Sequence, residues 1–261
     1  MHLGLYADIS NVDLLPIGSF DFLEENVQTL LVPESVESVF AERLHLVEEA
    51  GISVYAANRY LPADLRITGP EVDEARLIRW AEVAMERAER AGVRIMVWGS
   101  GASRRLPDGW TYEQGHAQFV RAVTLTAPIA ERHGVTLVIE PLSRGDSNFI
   151  LSLAEGASIV EAVGHPSVRL LADIYHMLVE GESPAELTRW APMLEHVHVA
   201  ERAERGEPGR HEEDFRPWLE ALHTGGYEKA VVIEAEWQDL AAESRSGLAC
   251  LAGQMREVGW S

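Results

Sequence analysis

Short apolar runs recur along the chain, and longer amphipathic segments separate them. Runs of this kind are typical of strands, and most of them are apolar throughout, as expected when both faces of a sheet are covered. The pattern predicts strands at 3–7, 20–24, 52–57, 94–98, 135–139, 168–172, 196–200 and 230–233. The run at 20–24 is the least regular, because polar residues interrupt it.

The longer segments have the spacing of amphipathic helices. They predict helices at 36–50, 71–91, 112–133, 152–163, 184–192, 214–224 and 239–257. Gly51, Gly92 and Gly134 each follow a predicted helix and precede a predicted strand, which is the position of a C-terminal glycine cap.

This alternation of strands and helices over 261 residues predicts a single (β/α)8 TIM barrel that spans residues 1–261. No proline-, glycine- or serine-rich linker divides the chain. A doubly wound open sheet is the alternative, and such sheets often carry GxGxxG after the first strand. The sequence ADISNVD stands there instead, which favours the barrel.

Composition and charge narrow the class of protein. Apolar residues make up 46% of the chain, and no apolar run approaches the ~18 residues of a membrane span. The formal net charge of −20 opposes binding to nucleic acid, which draws its affinity from lysine and arginine. Cys250 is the only cysteine, and the first residues lack a secretory signal pattern. We therefore expect a cytoplasmic enzyme, with no nucleic acid and no membrane as partner.

Metal-binding residue types stand at the ends of four consecutive predicted strands. They are Glu140, Asp173, His196 with His198, and Glu234, on the fifth to the eighth strand. In a barrel the C-terminal strand ends converge on one mouth, where the chemistry lies. Without a cation, such a set would bring like charges into repulsive contact. The sequence therefore predicts one divalent metal ion at this mouth.

The residue types also indicate which ion and which chemistry to expect. Carboxylates with one imidazole suit a hard or borderline ion, so we expect Mn2+, with Mg2+, Co2+ and Zn2+ as alternatives. Lys229, the only lysine, lies at the start of the eighth strand, away from the mouth, which argues against Schiff-base catalysis. Cys250 lies inside the last predicted helix, so a cysteine nucleophile has no support.

Four motifs resemble those of the xylose-isomerase-like TIM-barrel superfamily of sugar isomerases and epimerases. Within it, the sequence is most similar to the ketose 3-epimerases of the tagatose and psicose type. The motifs are VIEPLSR, LADIYHM, HVHVAE followed by EPG, and VVIEAEW, within residues 135–237. The first half of the chain is similar to the family mainly in its rhythm of strands and helices. The resemblance therefore implies the superfamily and leaves the substrate open.

The resemblance implies a role for each matching residue. The metal ligands would be Glu140, Asp173, His198 and Glu234. The two glutamates would also act as acid and base on opposite faces of the substrate carbon. His176 and Arg205 would hold sugar oxygens, with Arg202 as the alternative to Arg205, because the loop is longer than in the epimerases. Endonucleases of the same superfamily need more histidines and a basic face for DNA, which this chain lacks.

Other residues are candidates to line the mouth. Asp146 stands where the epimerases usually place a glutamate, which shortens its reach toward the carbonyl end of the substrate. Tyr6, Asn58 and Trp98 end their predicted strands, although Tyr6 and Trp98 can equally be core residues. The second predicted strand ends at Glu24 or Glu25. The segment WGSGASRR offers Arg104 and Arg105 for an anionic group, but a solvated loop is the simpler interpretation.

Together with these residues, the resemblance implies a metal-dependent isomerase or epimerase of a free ketose or related polyhydroxy carbonyl compound, working through a metal-bound enediolate. Return of a proton to the same carbon by the second carboxylate, on the other face, gives an epimer, and delivery to the neighbouring carbon gives the aldose–ketose isomer. A dehydratase of an inosose or keto acid and a non-catalytic sugar-binding barrel are the alternatives. Related barrels form dimers or tetramers, so a homodimer or homotetramer would fit the family.

Overall fold

Eight parallel strands pair side by side and close into a barrel. The computed structural model describes residues 1–260, and the strands follow chain order around the barrel until β8 pairs with β1. They are β1 His2–Tyr6, β2 Phe22–Asn26, β3 Val54–Asn58, β4 Ile95–Trp98, β5 Thr136–Ile139, β6 Val168–Asp173, β7 Leu194–Val199 and β8 Ala230–Ile233. The predicted (β/α)8 TIM barrel is confirmed.

The second strand begins later than the sequence pattern predicts. Asp21 is the last residue of the loop before this strand. Its N–H donates to the Leu3 carbonyl at 2.7 Å, and its Oδ2 accepts from the Leu3 N–H at 2.8 Å. The strand therefore starts at Phe22 and contains both Glu24 and Glu25. Because neighbouring strand residues face opposite sides, one glutamate points into the barrel and the other points out.

Helices surround the barrel between the strands. They are α1 Val27–Leu30, α2 Glu37–Glu49, α3 Glu74–Ala91, α4 Gly101–Arg104, α5 Tyr112–Arg132, α6 Leu153–Val163, α7 Ile174–Glu180, α8 Ala185–Trp190, α9 Arg216–Thr224 and α10 Leu240–Glu257. The predicted helices are confirmed with small shifts at their ends. The short helices α1, α4 and α7 were not predicted from the sequence, because elements of this length show little periodicity. Over residues 1–260, none of the helices has both the length and the apolarity that a membrane crossing requires.

Glycines end the helices that precede β3, β4 and β5, as the sequence predicts. Gly92 has a φ of 83°, in the left-handed region that favours glycine, and its N–H donates to the Ala88 carbonyl. Gly51 and Gly134 have φ values of 66° and 64°. These turns lead the chain directly from each helix into the next strand.

Side chains along each strand alternate between two apolar cores. The inner core fills the barrel with Phe22, Ala56, Ile95, Val97, Val138, Leu171, Ala230 and Val232. The larger outer core lies between the strands and the helices. A residue two positions after an inward apolar residue also points inward, but closer to the mouth. In this barrel those positions include Glu24, Asn58, Glu140, Asp173 and Glu234.

Candidate functional site

Polar side chains converge at the C-terminal mouth of the barrel. The ligand atoms of Glu140, Asp173, His198 and Glu234 all lie within 4.8 Å of one another. His198 Nδ1 is 3.3 Å from Glu140 Oε1 and 3.1 Å from Glu234 Oε2. All four residues have at most 9% of their surface exposed. The fold thus brings together the four residues expected from the sequence, and they could hold a metal ion.

Asp173 owes its position to the junction between β6 and α7. It pairs in register with His198 of β7, so the two side chains start from neighbouring points of the barrel wall. Its Oδ1 caps α7 by accepting the Tyr175 N–H at 2.9 Å. The cap fixes the carboxyl group and leaves Oδ2 to face the other members of the cluster.

Glu140 is held by the backbone around β4 and β5. Its N–H donates to the Trp98 carbonyl at 3.3 Å, and its own carbonyl accepts from Arg104 Nη2 at 2.8 Å. A Cβ at position 99 would overlap Glu140 Oε2, so only glycine leaves room for the carboxyl group there. Arg104 is fully buried and supports the backbone, so neither the solvated loop favoured from the sequence nor the alternative of an anion contact describes it.

Glu234 has an ordered partner on each carboxyl oxygen. Asn58 Nδ2 donates to Oε1 at 2.6 Å, and Arg205 Nη2 donates to Oε2 at 2.5 Å. Burial acts to raise the pKa of Glu234, but Arg205 and His198 outweigh burial and hold the pKa well below its usual range. Glu234 is therefore a carboxylate at neutral pH.

Arg205 bridges two acidic members of the cluster. Its Nη2, which donates to Glu234, also lies 3.0 Å from Asp173 Oδ2. Its guanidinium lies 4.6 Å from the centre of the Tyr175 ring. Burial raises the pKa of Asp173, and the charge of Arg205 opposes that rise. Arg202, the alternative left open by the sequence, is exposed.

His176 lies beside the cluster in a neutral state. Its Nδ1 accepts the Ser143 N–H at 3.1 Å, and its Nε2 is 3.4 Å from Asp173 Oδ2. Burial lowers the pKa of His176 to about 4. Because Nδ1 is occupied as an acceptor, Nε2 carries the proton and can donate it to a neighbouring oxygen.

A cavity of about 380 Å3 opens above the cluster. Small-molecule sites commonly have volumes of this order, from about 300 Å3 upward. Its wall includes Glu140, Glu234, His176 and Arg205, together with Asp146 at the rim. Asp146 Oδ2 is 3.3 Å from Ser143 Oγ. The cavity therefore joins the cluster to most of the substrate-binding residues expected from the sequence.

A comparison with known families agrees with this arrangement. A family model described as "Xylose isomerase-like TIM barrel" matches residues 17–253, which include the whole cluster. The chain belongs to this family. The resemblance inferred from the four motifs is confirmed by this match.

Relatives of this xylose isomerase-like barrel are named isomerases and epimerases. Hydroxypyruvate isomerase of Escherichia coli (strain K12) is 28% identical over 126 residues, 47% of this chain and 49% of that protein. D-psicose 3-epimerase of Agrobacterium fabrum is 33% identical over 123 residues, 46% of this chain and 41% of that protein. The matched part thus spans less than half the length of these curated relatives.

A solved relative shows the same fold over the whole chain. The structure of D-psicose 3-epimerase with D-tagatose from Clostridium cellulolyticum H10 superposes with a TM-score of 0.82. The two sequences are 23% identical, and the match covers 100% of both chains. At this identity the likeness establishes the fold of the barrel.

Two aromatic residues, Trp98 and Tyr6, were expected to line the substrate site of this xylose isomerase-like barrel, but they point to opposite sides of the sheet. Trp98 points outward, where it packs against Tyr60 and Phe119 with ring centres 5.0 and 5.3 Å away. The prediction that Trp98 lines the substrate site is therefore wrong. Side chains alternate along β4, and Val97 is the residue that points inward. Tyr6 does point inward, and burial is the main cause that raises its pKa to about 12.

Glu24 is a buried member of the site that the sequence left undecided. It lies within the barrel, where His196 Nε2 is 2.7 Å and His198 Nε2 is 3.1 Å from its Oε2. Glu25 points outward and accepts the N–H groups of Ile9 and Asn26. The sequence signal was the acidic end of an apolar run, but a shift of one residue exchanges the two faces.

The loop after β7, which carries Arg205, is organised by a buried acid. Glu201 is fully buried, and its carboxylate accepts the N–H groups of Gly209 at 2.7 Å, His211 at 2.5 Å and Glu213 at 3.2 Å. Arg205 itself has a φ of 51°, in the left-handed region. Such a conformation persists only where the surroundings hold it, so Glu201 helps to present Arg205 to the cluster.

We expect Glu201→Gln to lower the free energy of unfolding by about 1–3 kcal/mol, because it removes the charge from an acceptor of buried backbone N–H groups. Urea unfolding followed by circular dichroism measures the change. Glu212→Gln, at an exposed position of the same loop, is the control and should change stability by less than about 0.5 kcal/mol. Equal stabilities of the two variants would contradict the anchoring role of Glu201.

Proposed function

We propose that the protein is a divalent-metal-dependent isomerase or epimerase of a free ketose or related polyhydroxy carbonyl compound. The convergence of Glu140 and Glu234 on one cluster with Asp173 and His198 carries the proposal. Two carboxylates beside one substrate carbon can divide the work of base and acid. The family and the names of the matched relatives support the same class of reaction.

The chemistry of the cluster suits a divalent ion. Oxygen donors with one imidazole nitrogen favour Mn2+, with Mg2+, Co2+ and Zn2+ as alternatives. Burying several carboxylates together costs free energy unless positive charge balances them. The residues that would hold the ion are Glu140, Asp173, His198 and Glu234. When bound, the ion would supply Lewis-acid polarisation of the substrate carbonyl.

Glu234 is the proposed base. Asn58 and Arg205 orient its carboxylate and keep it ionised before substrate arrives. If Arg205 turns to a substrate oxygen, the charge that lowers the pKa of Glu234 is withdrawn, and Glu234 becomes a stronger base. Glu234 would keep the proton that it removes, and Glu140 would deliver a proton of its own to the opposite face of the same carbon, which gives an epimer, or to the neighbouring carbon, which gives an isomer.

The remaining polar residues of the cavity would hold the substrate in place. His176 presents a neutral Nε2–H beside Asp173 and can donate to a hydroxyl or carbonyl oxygen. Asp146, with 51% of its side chain exposed, can accept from a hydroxyl group at the rim. Substrate binding would also cover the cluster and exclude water from the reacting carbon.

We expect the protein with Mn2+ to exchange a carbon-bound hydrogen of a substrate with solvent deuterium, because abstraction by a carboxylate passes the proton to water. The measurement is proton NMR in D2O over a panel of ketohexoses, an inosose and hydroxypyruvate, with and without EDTA. An epimerised, isomerised or dehydrated product distinguishes epimerase, isomerase and dehydratase. Absence of exchange across the whole panel would favour a non-catalytic binding protein.

Glu234→Gln should lower the exchange rate by about 100-fold to 10,000-fold, the usual contribution of a general base. The amide keeps the shape of the side chain and one oxygen ligand, so the fold and most of the Mn2+ binding should remain. Circular dichroism and titration calorimetry check both. Glu236→Gln, exposed on the same loop, is the matched control. A fully active Glu234→Gln protein would refute the role of Glu234 as base.

An isomerase of a short 2-oxo acid is a second candidate, and Arg59 favours it. Arg59 lines the cavity beside Asn58, and within residues 1–260 its guanidinium forms no ion pair, whereas Arg205 is paired with acids. Its backbone has a φ of 52°, and Gln28 Nε2 holds its carbonyl at 2.9 Å. These contacts hold the backbone of Arg59, and its exposed guanidinium could receive a substrate carboxylate. One matched relative is a hydroxypyruvate isomerase by name.

If the substrate is a 2-oxo acid, Arg59→Gln should raise its KM by about 10-fold to 100-fold, equivalent to one charge-assisted hydrogen bond. Exchange of a neutral ketohexose should be unaffected, because it has no charge for Arg59 to bind. Steady-state kinetics on both substrates give the comparison, with Arg202→Gln as the control for an exposed arginine at the same mouth. Equal effects on acid and neutral substrates would exclude this recognition.

A further inference from the structure

The interior of the barrel contains a second polar cluster directly below the candidate metal site. It consists of Glu24, His196 and His198, all with 0% exposure. The residues around them belong to the apolar inner core, and Phe22 lies near His196 with ring centres 6.4 Å apart. A buried carboxylate is costly in such a place unless it has a specific function or partner. The cluster therefore calls for an explanation beyond packing.

The two nitrogens of His198 face two different environments. Nδ1 points to the metal cluster, 3.1 Å from Glu234 Oε2 and 3.3 Å from Glu140 Oε1. Nε2 points down to Glu24, 3.0 Å from its Oε1 and 3.1 Å from its Oε2. Only Oε2 has hydrogen-bond geometry toward this nitrogen, and Oε1 has no hydrogen-bond partner within residues 1–260. A carboxylate is an acceptor only, so the proton on this side of the ring belongs to Nε2.

His196 completes the arrangement from the other side. Its Nε2 lies 2.7 Å from Glu24 Oε2, while its Nδ1 has no hydrogen-bond partner within residues 1–260. The imidazole of His196 is therefore an N–H donor to Glu24 with no other polar contact of its own. Glu24 accepts from two imidazoles at once, which gives a buried carboxylate two partners.

We propose that Glu24 is a positioning residue that keeps a proton of His198 on Nε2, so that Nδ1 would be the nitrogen that binds a metal ion held by the upper cluster. This inference rests on the proposed function, because it takes the upper cluster as a metal site. The chain of contacts runs from His196 through Glu24 to His198. The negative charge of Glu24 also makes the His198 ring a better donor to a cation.

The apolar surroundings argue against a second ion within this lower cluster. Contacts of 2.7 to 3.1 Å between nitrogen and oxygen are hydrogen-bond lengths. An ion there would need further ligands, and the apolar residues around the cluster do not offer them. A carboxylate held by two N–H donors fits the observed geometry without an ion.

Calorimetric titration with Mn2+ tests the proposal on the purified, metal-stripped full chain. We expect one ion per chain for the wild type and a 10-fold to 100-fold weaker Kd for Glu24→Gln, the usual effect of losing a partner of a metal-bound histidine. Glu25→Gln is the matched control, because it removes a buried carboxylate from the adjacent position of the same strand without touching His198. Its Kd for Mn2+ should match that of the wild type even if its stability falls.

The outcomes separate this inference from the function on which it rests. A wild type that binds Mn2+ and a folded Glu24→Gln variant with the same Kd would overturn the role of Glu24 alone. A wild type that binds none of Mn2+, Mg2+, Co2+ and Zn2+ would overturn the proposed function as well. Two ions per chain in the wild type and one in Glu24→Gln would replace the positioning role by a second metal site.

A measurement on the wild type keeps the proposal testable if Glu24→Gln does not fold. Long-range proton–nitrogen NMR spectra of histidine-labelled protein report which ring nitrogen carries the proton. We expect His198 to be protonated at Nε2 both without metal and with diamagnetic Mg2+. Assignment can use a His198→Gln variant, whose spectrum lacks that signal. Protonation of His198 at Nδ1 in the Mg2+-loaded protein would contradict the proposal.

Discussion

Negative charge confined at the mouth of the barrel is the constraint on which the rest of the site depends. Glu140, Asp173 and Glu234 lie within 4.8 Å of a shared imidazole and are almost completely buried. In such surroundings like charges repel strongly, and desolvation penalises each of them. Arg205 and the ring of His198 supply the cationic and donor groups that offset this repulsion. The cluster could thus hold a divalent ion.

The closed sheet supplies the geometry that makes this concentration of charge attainable. Each strand delivers one inward side chain per two residues, and barrel closure aims the last of them at a common axis. Asp173 and His198 are neighbours because their strands pair in register at those residues. Apolar side chains such as Val138 and Val232 fill most of the barrel below, where Glu24 and His196 are the polar exceptions.

Buried polar groups around the site hold its parts in place. Arg104 fixes the backbone of Glu140, and Glu201 fixes the loop that carries Arg205. Each of these residues is fully buried and satisfied mainly by backbone atoms. Desolvating such groups costs free energy. Their hydrogen bonds offset this cost only when the surrounding backbone takes one conformation. Their presence so close to the cluster is consistent with a site that requires fixed geometry.

Some features of this protein were determined by local sequence patterns alone. Strand and helix periodicity placed the eight strands and the main helices, because burial of one face repeats at short range. Glutamate, aspartate and histidine at successive strand ends indicated the metal cluster, because barrel topology brings those ends together. The family motifs added His176 and Arg205 to the expected site residues, and both line the cavity.

Only the tertiary structure decided which face each side chain occupies and what it meets across the barrel. Trp98 turned outward and Glu24 inward because a shift of one residue along a strand exchanges the two sides. Arg205 rather than Arg202 reached the cluster because a left-handed backbone and the Glu201 anchor shape that loop. The contact of Glu24 with His196 and His198 joins residues far apart in the chain, and no local pattern encodes a pairing that depends on closure of the whole sheet.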